Sequence, residues 1–119
     1  MAYNLETILA EKFETTINWG LATSRMRDFY DIYILTATQT VNAGTFRAAL
    51  QKTEESRGTG EQMADAAGVI QMITESTIMR GLWQRYQKNY SYANDISWDM
   101  VIEALRGLAE NAKASGYTS

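Results

Sequence analysis

The sequence of 119 residues contains no proline. Proline interrupts helices because it lacks a backbone N–H and because its ring clashes with the preceding turn. A chain without proline can form long helices, and leucine, alanine, glutamate and glutamine, which are well represented here, all favour them. The sequence therefore predicts an all-α fold, and its length suits one domain.

Apolar residues recur at helical spacing in about six segments, and no segment alternates convincingly as a strand would. The predicted helices cover residues 5–18, 25–37, 43–56, 61–74, 77–88 and 98–113. Short connections between them predict a single bundle with antiparallel neighbours. Residues with side chains that favour N-cap positions precede five of these helices: Asn4, Ser24, Asn42, Ser76 and Ser97. Gly20 is a predicted helix stop, and residues 115–119 are predicted to fray.

The segment Arg57–Gly60 contains two glycines and is the strongest predicted break in the chain. It divides the predicted helical domain of residues 1–119 into residues 1–57 and residues 61–113. The glycines are too few and lie too late in the chain for a phosphate-binding loop, so a linker is the simpler interpretation.

The composition excludes several classes of site. Cysteine and histidine are both absent, which removes disulfides, thiolate zinc sites and serine–histidine triads. We therefore predict no metal site. No apolar run approaches about 18 residues, and the segment Met1–Glu6 does not resemble a signal peptide. These features predict a cytoplasmic protein with no membrane partner, and the net charge of −3 gives no general attraction to nucleic acid.

The first predicted helix carries a charge in its apolar stripe. The stripe consists of Leu5, Ile8, Leu9, Phe13 and Ile17. Lys12 is four residues after Ile8 and three after Leu9, so it lies within this stripe rather than opposite it. Such a lysine must extend to solvent, pair with an acid or face a cavity.

The second predicted helix has apolar residues on two sides, which indicates that it is covered on both. One face holds Met26, Phe29, Tyr30, Tyr33, Ile34 and Ala37, and the other holds Ile32 and Leu35. Asp28 lies on the side of Ile32, Asp31 follows at i+3, and Arg27 is spaced to pair with Asp31. A partly buried aspartate needs a cation. The spacing therefore predicts a pair between Lys12 and either Asp28 or Asp31.

Two interpretations of this pair remain open from the residues alone. The pair could be an internal salt bridge that determines how the first two helices pack. Alternatively, the lysine and the aspartate could point into an active-site cleft. Spacing alone favours the salt bridge, because structural ion pairs produce the same pattern.

Two segments of the sequence, Tyr3–Glu14 and Thr23–Tyr33, resemble the third and fourth motifs of the AbiEii-type nucleotidyltransferase toxins of abortive-infection and type IV toxin–antitoxin systems. A helix with Glu-Lys precedes an Arg-Asp-x-x-Asp helix in that family. The resemblance implies that Lys12 contacts a nucleoside triphosphate and that Asp28 completes the catalytic cleft. It also implies that Asp31, Arg25 and Arg27 belong to the nucleotide-binding site.

The rest of the chain resembles the C-terminal helical half of the same family more loosely. The matching segments are Phe46–Thr53 with Arg57, Trp83–Tyr86, Tyr92–Ala93 and Trp98–Leu108. The family's Gly-Gly-Thr-type loop and its strand of metal-binding acids come before the position of Tyr3. The resemblance therefore implies Mg²⁺ and a nucleoside triphosphate for a complete enzyme, with no cofactor held by this chain alone.

This comparison leads to an expectation about organisation and partners. We expect a fragment, or one half of a split enzyme, that contributes a lysine and an aspartate to the cleft and is inactive alone. The expected partners are an N-terminal nucleotidyltransferase half, an antitoxin, or a second copy. A second copy or another partner would bind the outer face of the second helix, where Ile32 and Leu35 form a candidate apolar patch.

Two other functions remain as alternatives. One is an RNA-binding module with bases and aromatics interleaved as a stacking platform: Arg80, Trp83, Arg85, Tyr86, Lys88, Tyr90 and Tyr92. Core packing is the favoured interpretation, because Trp83 and Tyr86 share a stripe with Met79 and Leu82. The other is a non-catalytic interaction domain, which predicts that Lys12 and Asp28 are paired and fully enclosed.

Overall fold

The computed structural model describes residues 4–23 and 25–113. Every regular element in these two ranges is helical, which confirms the all-α prediction. The helices are α1 (Leu5–Trp19), α2 (Met26–Thr38), α3 (Ala43–Arg57), α4 (Gly60–Ala64), α5 (Ala66–Glu75), α6 (Thr77–Asn89) and α7 (Trp98–Lys113). Two short 3-10 turns, Gly20–Ala22 and Ser91–Ala93, follow α1 and α6.

Side-chain caps begin four of these helices, as predicted. Asn4, Asn42, Ser76 and Ser97 each accept a hydrogen bond from the backbone N–H three residues later, at 2.8, 2.8, 3.1 and 3.1 Å. The predicted cap Ser24 and the predicted fraying of residues 115–119 lie outside the described residues. The helix α2 begins at Met26, just after Arg25, whose N–H donates to Thr23 Oγ1 at 3.1 Å.

Two glycines end helices where the sequence predicts breaks. Gly20 follows α1 with φ of 51°, and Gly58 follows α3 with φ of 69°. Both values lie in the region that favours glycine. The prediction of one helix over residues 61–74 is wrong, because Asp65 leaves helical geometry and separates α4 from α5. The described residues therefore form seven α-helices rather than about six.

The core lies where α1 packs on α3 and α2 packs on α7. Aromatic rings connect these layers: Phe13 meets Phe46 edge-on at 5.9 Å, and the ring of Phe29 lies 5.3 Å from that of Trp98. Buried side chains at helical spacing surround them: Leu9, Ile17, Met26, Ile32, Leu50, Ile70, Ile73, Met79, Trp83, Val101, Ile102, Leu105 and Leu108. None of these helices is long and apolar enough to cross a membrane.

The second apolar side of α2 is covered by the chain itself. Ile32 has no exposed area, and Leu35 is partly buried against the core. The prediction of an exposed patch at these two residues is wrong. The physical reason is that α2 packs against both α1 and α7, so its two apolar faces meet different helices of the same bundle.

Candidate functional site

Five charged side chains form a continuous series between α1 and α2, which we call the ion row: Arg25, Asp28, Lys12, Asp31 and Arg27. Lys12 Nζ lies 3.5 Å from Asp28 Oδ1 and 3.0 Å from Asp31 Oδ2. Arg25 Nε lies 3.2 Å from the other oxygen of Asp28, and Arg27 Nε lies 3.0 Å from the other oxygen of Asp31. The structure therefore pairs Lys12 with both predicted aspartates.

Burial differs systematically along the ion row. The side chains of Asp28 and Asp31 are only 8% and 17% exposed, whereas those of Arg25 and Arg27 are 70% and 69% exposed. Lys12 is intermediate at 27%. The two arginines thus face outward, the two carboxylates are largely buried, and Lys12 lies between these extremes, so the ion row combines three positive charges with two negative ones.

The partial exposure of Lys12 bears on one of the alternative functions that the sequence leaves open. The alternative of a non-catalytic interaction domain predicts that Lys12 is fully enclosed, but the Lys12 side chain is 27% exposed. A lysine within an apolar stripe can extend its alkyl stem along the apolar surface and keep its charged group toward solvent.

Arg27 stays positively charged in this arrangement. Its hydrogen bond to Asp31, followed by the charge of Asp31 and that of Tyr92, raises the pKa of its guanidinium group. Tyr86 contributes in the same direction. Tyr30 follows Arg27 by three residues on α2, and its ring lies 4.7 Å from that of Tyr92, so aromatic side chains of the turn after α6 lie near this end of the ion row.

The two aspartates are not arranged to hold Mg²⁺ by themselves. Mg²⁺ is bound by carboxylates together with phosphate or water oxygens in octahedral geometry. Each oxygen of Asp28 and Asp31 already lies within 3.5 Å of a cationic nitrogen, so a metal would have to displace these cations. Within residues 4–23 and 25–113, no group of three or more acidic side chains is arranged to hold a metal.

A buried acid on α1 was not predicted from the sequence. Glu14 is 1% exposed and pairs with Arg57 at the end of α3. Arg57 also donates to Thr15 Oγ1 at 3.0 Å. The spacing carried a signal, because Glu14 is four residues after Ala10 and three before Ile17, both buried. This pair joins α1 to α3 and leaves the ion row, on α1 and α2, as a separate cluster.

A groove of about 760 Å³ lies between α3, α4 and the end of α7. Its lining includes Arg47, Gln51, Glu54 and several alanines. No member of the ion row lines it. The groove is therefore separate from the site of Lys12 and Asp28.

The aromatic residues of α6 divide between core and surface. Trp83 is 1% exposed and donates from Nε1 to the carbonyl of Ile96 at 2.9 Å, so its interpretation as a core residue is confirmed. Tyr90 and Tyr92, by contrast, are 45% and 49% exposed. The predicted stacking platform therefore does not include Trp83, but part of its aromatic surface remains accessible.

Comparison with known proteins identifies the family. The family described as nucleotidyl transferase AbiEii toxin, type IV TA system, matches residues 1–104 of the 119. The chain belongs to the AbiEii family. The match includes α1 and α2, so the ion row of this AbiEii family member lies wholly within it. No curated protein and no solved structure matches the chain.

Proposed function

We propose that this AbiEii family member forms the helical wall of a nucleoside triphosphate-binding cleft in a cytoplasmic nucleotidyltransferase toxin that acts in abortive infection against phage. Lys12 binds the triphosphate, Asp28 and Asp31 orient Lys12, and Arg25 and Arg27 extend the cationic surface. The observation that carries the proposal is that Lys12 Nζ lies 3.5 and 3.0 Å from two carboxylates on a side chain that is still 27% exposed.

The electrostatics of the ion row support phosphate binding. Three cations and two carboxylates leave one net positive charge on a surface where the cations are the outer groups. A triphosphate offers several anionic oxygens, and hydrogen bonds between charged partners are the strong ones. Arginine can bind phosphate in a bidentate manner, while lysine acts as a point charge. The three side chains together can contact more than one phosphate group.

The carboxylates hold Lys12 in place before a ligand arrives. A lysine side chain loses considerable rotamer freedom when it is immobilised. Two acceptors that hold the ammonium group in advance reduce that loss upon binding. In this proposal Asp28 and Asp31 are therefore positioning residues that act through Lys12.

The proposal assigns the metal-binding acids and the second wall of the cleft to another polypeptide segment. The support is that the carboxylates of the ion row already pair with cations. We therefore propose that residues 1–119 alone bind nucleotide weakly and transfer none. Because the family is described as the toxin of a type IV toxin–antitoxin system, we propose an antitoxin as a further partner.

Nucleotide binding by the purified chain tests the role of Lys12. We expect ATP or inorganic tripolyphosphate to shift the backbone amide resonances around the ion row. Lys12→Met should weaken both ligands about ten-fold or more, because it removes a charge-assisted hydrogen bond. Lys52→Met is the matched control, since Lys52 is an exposed lysine on α3. Equal affinities in both variants would contradict the proposal, as would shifts confined to the groove near Arg47.

A second measurement tests whether residues 1–119 alone can transfer a nucleotide. The chain is incubated with labelled nucleoside triphosphates, Mg²⁺ and tRNA, and label in the RNA is counted. We expect no transfer above background. Robust transfer by this chain alone would show that the acids needed for catalysis lie within residues 1–119.

A further inference from the structure

Four tyrosines form an accessible aromatic cluster beside the ion row, which we call the tyrosine ledge. Its members are Tyr30 of α2, Tyr86 of α6, Tyr90 at the end of α6 and Tyr92 in the following turn. The ring centroids of Tyr30 and Tyr92 are 4.7 Å apart, as are those of Tyr86 and Tyr90. Tyr90 and Tyr92 are 5.5 Å apart. These spacings are typical of direct aromatic contact, so the four rings form one surface.

The tyrosine ledge is anchored on one side and open on the other. Tyr86 stacks on the buried Trp83 at 5.3 Å with an interplanar angle of 23°. Tyr90 and Tyr92 are 45% and 49% exposed. Aromatic rings with polar tips are enriched at binding surfaces, where they provide contact area at low conformational cost.

A hydrogen bond between two phenols stiffens the tyrosine ledge. The hydroxyl groups of Tyr86 and Tyr92 are 2.7 Å apart. Burial, and then this hydrogen bond, raise the pKa of Tyr86, so its phenol stays neutral. The bond holds the exposed ring of Tyr92 against the anchored ring of Tyr86. A ligand would therefore meet a surface that is already ordered.

The tyrosine ledge and the ion row meet at Arg27. Tyr30 lies on α2 three residues after Arg27, so the two side chains share one side of that helix. The ring centroid of Tyr30 is 4.7 Å from that of Tyr92 and 6.4 Å from that of Tyr86, so the tyrosine ledge begins beside the ion row. An exposed cation beside an exposed aromatic surface matches the two halves of a nucleotide, its phosphates and its base.

We propose that the tyrosine ledge binds a nucleobase by stacking while the ion row binds the attached phosphates. This inference rests on the proposed function and adds the base-binding side of the same site. Every nucleobase has a planar π face, so this surface positions the base without selecting its identity. The base can belong to the nucleoside triphosphate or to the single-stranded end of an RNA acceptor.

Three probes separate these sources: inorganic tripolyphosphate, ATP and a short single-stranded oligoadenylate. Tyr92→Ala and Tyr90→Ala should weaken ATP, the oligoadenylate or both at least about five-fold, the lower end of the effect of one lost base–aromatic stack. Tripolyphosphate affinity should not change in these variants. Tyr92→Phe should retain most of the affinity, because the ring remains. Trp19→Ala is the matched control, since Trp19 is an exposed aromatic outside the tyrosine ledge.

The pattern of results distinguishes the two proposals. Weakening of ATP identifies the nucleotide as the source of the base, and weakening of the oligoadenylate alone identifies the acceptor strand. Unchanged affinity of both ligands in Tyr90→Ala and Tyr92→Ala would overturn the tyrosine ledge proposal and leave the role of Lys12 intact. Dependence on the tyrosines without dependence on Lys12 would overturn only the proposed phosphate site. No binding of any probe to the unsubstituted chain would overturn both.

Discussion

Arg57, the last residue of α3, donates from Nη1 to the carboxylate of Glu14, which is buried near the end of α1. One oxygen of Glu14 accepts this bond, and the other oxygen is buried without a hydrogen-bond partner among the described residues. The pair therefore holds a charge inside the α1–α3 interface with a single strong contact. A buried carboxylate depends heavily on such a contact, because an unpaired one loses its hydration without compensation.

Removal of Arg57 should therefore destabilise the fold. We expect Arg57→Met to lower the free energy of unfolding by about 1–3 kcal/mol, because the acceptor Glu14 is left buried and unpaired. Urea denaturation followed by circular dichroism measures the change. Arg106→Met is the control: Arg106 pairs with the exposed Glu103, and such surface pairs contribute about 0–1 kcal/mol. Equal losses in the two variants would contradict a special role for Glu14.

The stability should depend on the ionisation of Glu54. Burial, and then the charges of Glu14 and Glu55, raise the pKa of Glu54 above its ordinary value of 4.5. A carboxyl group with a raised pKa in the folded state destabilises the fold when ionised, and this cost disappears as the pH falls toward the unfolded-state value. Glu54→Gln should therefore raise the melting temperature at pH 7–8 and have little effect near pH 4.

A thermal melt series across this pH range, with Glu110→Gln as the exposed control, measures the effect. The control should remain within about 0.5 kcal/mol of the parent at each pH. A stabilisation by Glu54→Gln that grows as the pH falls would contradict the predicted pH dependence.

The two aspartates of the ion row should contribute unequally to stability. Asp28 is 8% exposed and Asp31 is 17% exposed, although both pair with Lys12 and with one arginine. We expect Asp28→Ala to cost about 1–3 kcal/mol and Asp31→Ala about 1 kcal/mol, because the better buried carboxylate is replaced less easily by water. The comparison is made by urea denaturation, with Asp99→Ala, 81% exposed, as a near-neutral control. A larger loss in the Asp31 variant would refute this ranking.

Alanine substitutions at two glycines should change the free energy of unfolding in opposite directions. Gly58 ends α3 with φ of 69°, and no atom lies within 4 Å of an added Cβ, so backbone strain alone determines the cost. Gly58→Ala should destabilise by about 1–2 kcal/mol. Gly81 lies in α6 with equally open space, and Gly81→Ala should stabilise by about 0.5–1 kcal/mol. Chemical denaturation of both variants tests the pair, and a stabilising Gly58→Ala would rule out the left-handed cap as a constraint.

The difference between predicted and observed structure is largest at Asp65 and Ile32. Helical periodicity continues through Asp65 and predicts a single helix where the chain forms α4 and α5. Local periodicity cannot show how a segment bends to fit the helices beneath it. Likewise, the two apolar sides of α2 indicate that both sides are buried. They do not indicate that other helices of the same chain bury both of them.

The sequence by itself determined the all-α class, the side-chain caps at Asn4, Asn42, Ser76 and Ser97, the chain break at Gly58 and the pairing of Lys12 with the acids of α2. Most of these are local features, because they depend on propensity, capping and helical spacing over a few residues. The pairing of Lys12 joins two helices and was predictable only because a charge set among apolar residues needs a partner. Only the tertiary structure decided that Lys12 bridges both aspartates, that Arg57 reaches Glu14, and that the tyrosines of α2 and α6 meet beside Arg27. These contacts join residues far apart in the chain, and their geometry depends on how whole helices pack.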